Sequence, residues 1–251
     1  INPPLAFPEK VKEVSNLLSN AKKPVLVVGG QVHMSTKSRK LVEKVAKAHN
    51  LPVLCTYEHQ DIISNDNLHY AGELGLRPPE PIRKNALEAD LVLVVGHRFN
   101  GVPNMAYKFP SSKQMFIHVI PDPNTIGKIF RTDMGIVADS ENFLEQLSNF
   151  VNNSANNERN EWVKLCHYRY LNNDATATPR NANDGLDFAH FIDGLGEIAP
   201  ENSIITNDAG NFTSWMHHRF PFKSTMKLIG SEIGAMGMGI PAGVAAALRF
   251  P

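Results

Sequence analysis

The sequence contains little cysteine. Cys55 and Cys166 are its two cysteines, and their separation matches neither a disulfide framework nor a metal-binding motif. Small secreted domains held by disulfides need several cysteines at regular spacing, so the sequence argues against that class. Two isolated thiols fit a reducing compartment, and we therefore expect a cytoplasmic protein.

Charge of one sign is not in excess either. Lys and Arg number 25, Asp and Glu number 25, and the formal net charge is +0. Surfaces that bind nucleic acid or an anionic membrane usually carry a basic surplus, so neither partner is expected. The sequence also has no apolar run of membrane-spanning length and no signal-peptide pattern. Because the first residue is Ile1, we expect the native N-terminus to be absent or processed.

The apolar content is sufficient for a core. Hydrophobic residues make up 42% of the 251 residues, enough for one large domain or two small ones. Apolar runs alternate with amphipathic stretches, and continuous apolar runs are typical of parallel strands covered on both faces. The expected strands are 24–30, 52–55, 91–96, 115–120 and 135–137, and the expected helices are 9–19, 38–49, 82–89 and 141–151. The alternation predicts an α/β fold with a wound parallel sheet.

The domain organisation follows from a polar interruption. Residues 1–151 are expected to form a central domain, and residues 152–184 a linker that contains a short helix from Trp162 to Tyr170. An ordered pattern resumes with an expected helix at 188–198. We therefore expect residues 185–251 to be the incomplete first part of a second α/β domain.

Two glycine turns follow expected strands of the central domain. Gly29 and Gly30 follow the first strand, and Gly96 and Arg98 follow the third. At the carboxyl end of a parallel sheet, such turns let backbone amides approach a phosphate, and an arginine pairs with an anion. The alternatives are a purely structural turn and a surface arginine. The three-glycine dinucleotide fingerprint is absent, which argues against a nicotinamide or flavin oxidoreductase.

A third turn, residues 207–211, follows an expected strand at 203–206. Its backbone amides would suit a diphosphate without any basic side chain. Trp215 is expected in the core rather than at a ligand. The neighbouring pair His217 and His218 does not predict a metal site, because adjacent residues point apart on a helix.

The most informative stretch is residues 230–243, called here the glycine segment. It contains five glycines, at positions 230, 234, 237, 239 and 243, with Met236 among them. Glycines permit positive φ and close approach of the backbone to a bulky ligand. The alternative is tight packing of the apolar helix that follows, for which Pro241 is suited to the first turn.

The glycine segment and the third turn together resemble the thiamine-diphosphate enzymes of the acetolactate synthase large-subunit family. The family's cofactor domain has an Asp-x-Gly turn, a tryptophan shortly after it, and a Gly-x-Met-Gly-x-Gly-x-Pro-Ala segment. Here these read Asp208-Ala209-Gly210, Trp215 and Gly234-Ala235-Met236-Gly237-Met238-Gly239-Ile240-Pro241-Ala242. Residues 1–151 are similar to the family's central domain, so the resemblance covers nearly the whole chain.

The resemblance implies a cofactor, a reaction and site residues. The family uses thiamine diphosphate to decarboxylate a 2-oxo acid such as pyruvate and to transfer the two-carbon unit to a second 2-oxo acid. It implies that Met236 supports the bent cofactor and that the carbonyl of Gly234 accepts a hydrogen bond from its aminopyrimidine. The residues implied to line the diphosphate pocket are Ala209, Gly210, Asn211 and Phe212. Asn211-Phe212 stands where synthases often have Gln-His, so a side-chain role of that histidine is not carried over.

The resemblance also implies parts outside this sequence. The family's activating glutamate lies in an amino-terminal domain, and its Mg²⁺ ligands are expected after Pro251. We therefore expect no catalytic residue and no metal ligand within the chain, and no activity from the chain alone. In the family the site forms between two subunits, which implies a homodimer or homotetramer.

A second cofactor is implied for true acetolactate synthases, which hold FAD in the central domain. Gly29, Gly30, Gly96 and Arg98 match the places that contact it. Asn100 replaces the acidic residue expected there. Loss of FAD would favour a related decarboxylase or acyl-CoA lyase. Alternatives from other classes are a non-catalytic nucleotide-binding module and an oxidoreductase.

Overall fold

A six-stranded sheet forms the first part of the computed structural model, which describes residues 3–33, 35–150, 157–173 and 185–250. The strands are β1 (Pro24–Val28), β2 (Val53–Thr56), β3 (Tyr70–Leu74), β4 (Leu91–Val95), β5 (Met115–Ile120) and β6 (Met134–Val137). Their order is β3-β2-β1-β4-β5-β6, and all neighbours are parallel. The expected parallel α/β fold is confirmed.

Helices cover both faces of this sheet. They are α1 (Pro8–Asn20), α2 (Gly30–His33), α3 (Thr36–His49), α4 (Glu80–Leu87), α5 (Ser140–Leu147) and α6 (Asn157–Leu171). Successive strand residues point to opposite faces. In β1, Leu26 and Val28 enter the core beneath α1, α3 and α5, whereas Val25 and Val27 enter the core beneath α4 and α6. Because both faces are buried, the strand needs apolar residues at every position.

Strand β3 was not predicted from the sequence. It carries Gly72 and Glu73 in place of a continuous apolar run. Gly72 has φ +108°, and a Cβ there would lie 2.6 Å from the Ile82 side chain of α4. A strand of this composition forms because β2 and α4 supply its partners, which a local pattern does not reveal.

Helix α6 is longer than the helix expected between residues 152 and 184. The expected short helix from Trp162 begins earlier, at Asn157, and packs against the first sheet through Trp162 and Cys166. The polar residues before Trp162 are anchored by Arg159, which is 3% exposed. Its guanidinium donates to the carbonyls of Leu18, Ala21 and His49 at the ends of α1 and α3. A buried cation satisfies those helix carbonyls, so no apolar residue is needed there.

A second, smaller unit follows. It contains α7 (Phe188–Ile198), β7 (Ile204–Thr206), α8 (Thr213–Arg219), β8 (Lys227–Ile229) and α9 (Gly239–Arg249). β7 and β8 form a parallel pair, and β8 was not predicted. Trp215 packs at the edge of this unit's core and stacks on Phe188, as expected for a core residue. The domain boundaries at residues 151 and 184 lie outside the described residues and stay predictions.

The structure also bears on the cysteines and on the apolar content of the helices. Cys55 and Cys166 are free and buried, and burial raises the pKa of both thiols. Among the helices in the described ranges, none is both long and apolar enough to cross a membrane.

Candidate cofactor-binding site

The first candidate site lies at the carboxyl edge of the six-stranded sheet. β1 and β4 are neighbours at the centre, and the chain proceeds outward from them in opposite directions. Open α/β sheets bind ligands in the crevice at such a reversal of strand order. A cavity of about 650 Å³ lies there, lined by Gly30, Gly96, Arg98, Glu232 and ten further residues. We call it the sheet-edge cavity.

The glycines at and beneath the sheet-edge cavity are required for different reasons. Gly96 has φ +74°, and a Cβ there would lie 2.7 Å from the Ser140 hydroxyl. Gly29 does not line the cavity; a Cβ on it would lie 2.6 Å from His97 and from Thr56. Gly29 is therefore required for packing beneath the cavity, whereas Gly30 and Gly96 face it. The structure brings Arg98 to the cavity with its side chain exposed.

The opposite wall of the sheet-edge cavity carries a carboxylate that the sequence did not indicate as a ligand. Glu232 lies 3.0 Å from Nε2 of His59, and this hydrogen bond lowers the pKa of the Glu232 carboxyl. Burial, followed by the nearby His59, lowers the pKa of His97 to about 4, so that ring is neutral. The cavity therefore offers a cation at Arg98 and an anion at Glu232, a combination suited to a ligand with both phosphate and hydroxyl groups.

The second candidate site lies in the smaller unit, between the turn after β7 and the start of α9. Its cavity measures about 620 Å³ and is lined by Thr206, Asn207, Asp208, Ala209, Phe212, Met236, Gly237, Gly239, Ile240, Gly243 and Val244. We call it the glycine-segment cavity. Met236 is 83% exposed and presents an apolar surface to it. Such a combination of glycine backbone and an exposed methionine is unusual for a purely structural element.

Asp208 holds the shape of the glycine segment. Its carboxylate accepts hydrogen bonds from the backbone N–H groups of Gly237 at 2.8 Å, Gly239 at 2.9 Å and Ala209 at 2.8 Å. The bond from Gly239, then those from Ala209 and Gly237, lower the pKa of Asp208. Its position in the turn is evident from the sequence, but its role is not, because two of the partners of its carboxylate lie on another loop.

The glycines near Asp208 are required by geometry. Gly237 has φ +89°, which a side chain disfavours. A Cβ on Gly239 would lie 3.0 Å from Cβ of Asp208 and 3.2 Å from the backbone of Asn207. Close approach of two loops therefore explains part of the glycine pattern, alongside the cavity that they border.

The residues predicted to bind thiamine diphosphate are distributed around the glycine-segment cavity. Ala209, Phe212 and Met236 line it, whereas Gly210, Asn211 and Gly234 lie beside it in the same loops. Within the part of the chain that the structure describes, the backbone N–H groups of Gly210, Asn211 and Phe212 have no hydrogen-bond partner. These three donors could receive the oxygens of an anion.

His217 lies in a charged environment that the sequence did not indicate. It is buried between Glu58 and Glu73, with nitrogen–oxygen distances of 3.3 and 3.4 Å. Neither glutamate was singled out in the sequence, since they precede His217 by well over a hundred residues. Burial lowers the pKa of its neighbour His218. Among the described residues, no group of three or more His, Cys, Asp or Glu side chains could hold a metal ion.

The comparison with known proteins identifies the family of the chain. The family model described as "Thiamine pyrophosphate enzyme, central domain" matches residues 11–147. The chain belongs to the thiamine pyrophosphate enzyme family. Thiamine pyrophosphate and thiamine diphosphate are the same cofactor, so the match supports the resemblance carried by the glycine segment.

Several curated relatives of the chain are acetolactate synthase large subunits. The chain is 29% identical to the acetolactate synthase isozyme 1 large subunit of Escherichia coli, 28% to the large subunit of Lactococcus lactis, and 26% to a probable large subunit of Methanocaldococcus jannaschii. The alignments cover 97–98% of this chain. The chain spans 42% of the length of each of these relatives.

The glycine-segment cavity fits the cofactor of a thiamine pyrophosphate enzyme. A Cβ added at Gly234 or Gly237 would meet no atom within 4 Å, so the backbone there borders open space. The free N–H groups of the third turn carry partial positive charge. They therefore favour an anionic group such as a phosphate over a neutral group. Apolar Met236 and Ile240 suit the ring systems.

Proposed function

We propose that this chain is part of a thiamine-diphosphate-dependent carboligase of the acetolactate synthase type. It would decarboxylate a 2-oxo acid such as pyruvate and transfer the two-carbon unit to a second 2-oxo acid. The observation that carries the proposal is the glycine-segment cavity, with Met236 exposed on a backbone that Asp208 holds. Similarity to acetolactate synthase large subunits over 97–98% of the chain supports it.

The chain's own residues would bind and orient the cofactor. Bound thiamine diphosphate supplies the electron sink for decarboxylation. Met236 would support the bend of the cofactor, and the carbonyl of Gly234 would accept a hydrogen bond from the aminopyrimidine. N–H groups of residues 210–212 would bind the diphosphate. We propose that Mg²⁺ accompanies the thiamine diphosphate, and we expect the residues that bind this ion to lie outside this chain.

The sheet-edge cavity is proposed to hold FAD. Gly30 and Gly96 would allow the ligand to approach the backbone, and Arg98 would pair with its phosphates. The replacement of an expected acid by Asn100 favours the second candidate, a decarboxylase or acyl-CoA lyase of the same family without FAD. We also propose that the full-length protein is cytoplasmic and forms a homodimer or a homotetramer.

The test uses the full-length protein with thiamine diphosphate, Mg²⁺ and pyruvate. Acetolactate formation would support the carboligase, whereas acetaldehyde would support the decarboxylase. Calorimetry would measure cofactor binding, and the flavin absorbance of the purified protein would report FAD. Absence of any product together with absence of cofactor binding would overturn the proposal.

A further inference from the structure

A line of buried polar side chains joins the first sheet to the glycine segment. It begins at Glu73 of β3, which is 5% exposed, and continues through His217 of α8 to Glu58, which follows β2 and is 3% exposed. Buried carboxylates are stable only when partners satisfy them. In this case one imidazole lies between the two, so the two units of the chain share a single charged cluster.

The line continues from Glu58 to Asp208. The side-chain amide of Asn207 donates to both carboxylate oxygens of Glu58 at 3.2 and 3.3 Å. Its carbonyl oxygen accepts the backbone N–H of Asp208 at 3.0 Å. Asp208 in turn accepts the N–H groups of Gly237 and Gly239. Every link from β3 to the glycine segment is therefore a hydrogen bond or an ion pair.

The protonation state of His217 follows from its neighbours. Burial alone would lower its pKa, but the charge of Glu73 and the bond to Glu58 outweigh burial and raise the pKa to about 10. Each ring nitrogen then forms an ion pair with one carboxylate, at 3.3 Å from Glu58 and 3.4 Å from Glu73. The side-chain amide nitrogen of Asn207 also lies 3.2 Å from Nε2 of His217, so Asn207, His217 and Glu58 meet at one point.

The other titratable groups that face His217 remain neutral. Tyr57 lies 5.0 Å away, ring centre to ring centre, and burial followed by the charge of Glu58 raises its pKa to about 12. Burial lowers the pKa of His218. The cluster therefore contains one imidazolium and two carboxylates, with Asn207 donating to the carboxylate nearest the glycine segment.

Glu58 is held in a conformation that a side chain disfavours. Its φ is +62°, in the left-handed region that favours glycine. Its carboxylate also lies against the first residue of the glycine segment, since a Cβ on Gly230 would be 2.1 Å from Oε2. An unfavourable backbone conformation persists where surrounding contacts determine it, and such positions concentrate at functional sites.

We propose that Glu58 and Asn207 are positioning residues that fix Asp208, and through it the glycine segment, in the shape that receives the cofactor. This inference rests on the proposed function for the identity of the ligand. Glu58 lines neither cavity, whereas Asn207 lies at the wall of the glycine-segment cavity. Glu58 acts from the first sheet and Asn207 from the end of β7, so the shape of the cofactor loop depends on how the two units are joined.

The test compares Glu58→Gln and Asn207→Ala with wild type in the full-length protein. Glu58→Gln keeps the size of the side chain and removes the charge, and Asn207→Ala keeps Asp208 itself. Glu43→Gln on α3 is the control, a partly buried glutamate far from the cluster. Amide hydrogen exchange of Gly237 and Gly239 would be measured without cofactor, and the dissociation constant of thiamine diphosphate with Mg²⁺ by calorimetry.

We expect both variants to speed exchange at Gly237 and Gly239 and to weaken cofactor binding on the order of tenfold, as loss of supporting contacts typically does. The control should change neither. If Glu58→Gln fails to fold, Asn207→Ala decides alone. Exchange rates and affinities equal to those of the control would overturn the inference. Failure of the wild type to bind the cofactor would instead overturn the proposed function. The two outcomes can be distinguished because hydrogen exchange is measured without the cofactor.

Discussion

Asp208 shows how one side chain can hold the shape of a loop, in this case the glycine segment that we propose binds the cofactor. Its two oxygens accept three backbone N–H groups, two of them from the glycine segment. Glycine at 237 permits the positive φ of +89°, and glycine at 239 permits the close approach of the backbone to Asp208. The sequence indicated which glycines matter, but the carboxylate that organises them became evident from the contacts.

Met236 allows a direct test at the residue scale. Because its side chain is 83% exposed, Met236→Ala should change the free energy of unfolding by less than about 0.5 kcal/mol. Turnover should fall by roughly tenfold or more, since a misplaced cofactor loses its reactive geometry. Steady-state acetolactate formation and urea unfolding would measure the two effects.

The control for Met236 is Ile198→Ala, which truncates an apolar residue that is 78% exposed at the end of α7. It lies outside the residues that line either cavity and should leave turnover unchanged. If the Met236 variant lost stability and turnover in equal measure, the side chain would have a structural role and not a role in binding the cofactor.

His217 gives a prediction for pH dependence. Its pKa is raised in the folded protein from an ordinary 6.5 to about 10, so its contribution to stability is complete below about pH 6.5. That contribution is lost as the pH rises through 10, when the ring loses its proton. Thermal melting between pH 6.5 and 10 should therefore fall more steeply in wild type than in His217→Gln.

The same variant should be less stable at neutral pH, because it leaves two buried carboxylates without their cation. Breaking a buried ion pair typically costs about 3–5 kcal/mol. His190→Gln, which replaces an exposed histidine of α7, is the matched control and should follow wild type. Identical pH profiles for wild type and His217→Gln would show that the ring is not charged.

At the scale of elements, α6 was predicted only in part, from Trp162 to Tyr170. Its polar first turn suggested a linker, yet Arg159 anchors it to the ends of α1 and α3. By contrast, the strands that became β1 and β4 were evident from their continuous apolar runs. Apolar patterns report burial against any apolar partner, whereas a buried arginine depends on particular carbonyls that the fold brings to it.

Arg159→Met tests this anchor. The variant keeps the apolar part of the side chain and leaves the carbonyls of Leu18, Ala21 and His49 without their donor. We expect a loss of roughly 2–4 kcal/mol in the free energy of unfolding, measured by urea denaturation. Lys164→Met, at an exposed position of the same helix, should have a small effect. Equal effects of the two variants would contradict the anchoring role.

At the scale of the whole molecule, one segment borders both cavities. Glu232 and Ile233 line the sheet-edge cavity, and Met236, Gly237 and Gly239 line the glycine-segment cavity. The two proposed cofactors would thus be neighbours along the chain. Separate variants can still distinguish them, since Arg98 lines the first cavity and not the second.

Arg98→Ala should reduce the flavin content of the purified full-length protein and leave its affinity for thiamine diphosphate unchanged. The reason is that the guanidinium pairs with the flavin nucleotide's phosphates in the proposed arrangement. Absorbance of the released flavin and calorimetry would measure the two quantities. Arg83→Ala, on an exposed face of α4, is the control. Retention of flavin by Arg98→Ala, or its absence from wild type, would contradict the FAD proposal.

The sequence by itself determined the parallel α/β architecture, because apolar runs act locally, and its clustered glycines predicted where the cofactor would bind. The tertiary structure decided the strand order, the existence of β3 and the meeting of Glu58, Glu73 and His217. The physical reason is that a buried charge or an irregular strand is stable only beside its partners. Those partners lie far away in the sequence, so folding alone brings them together.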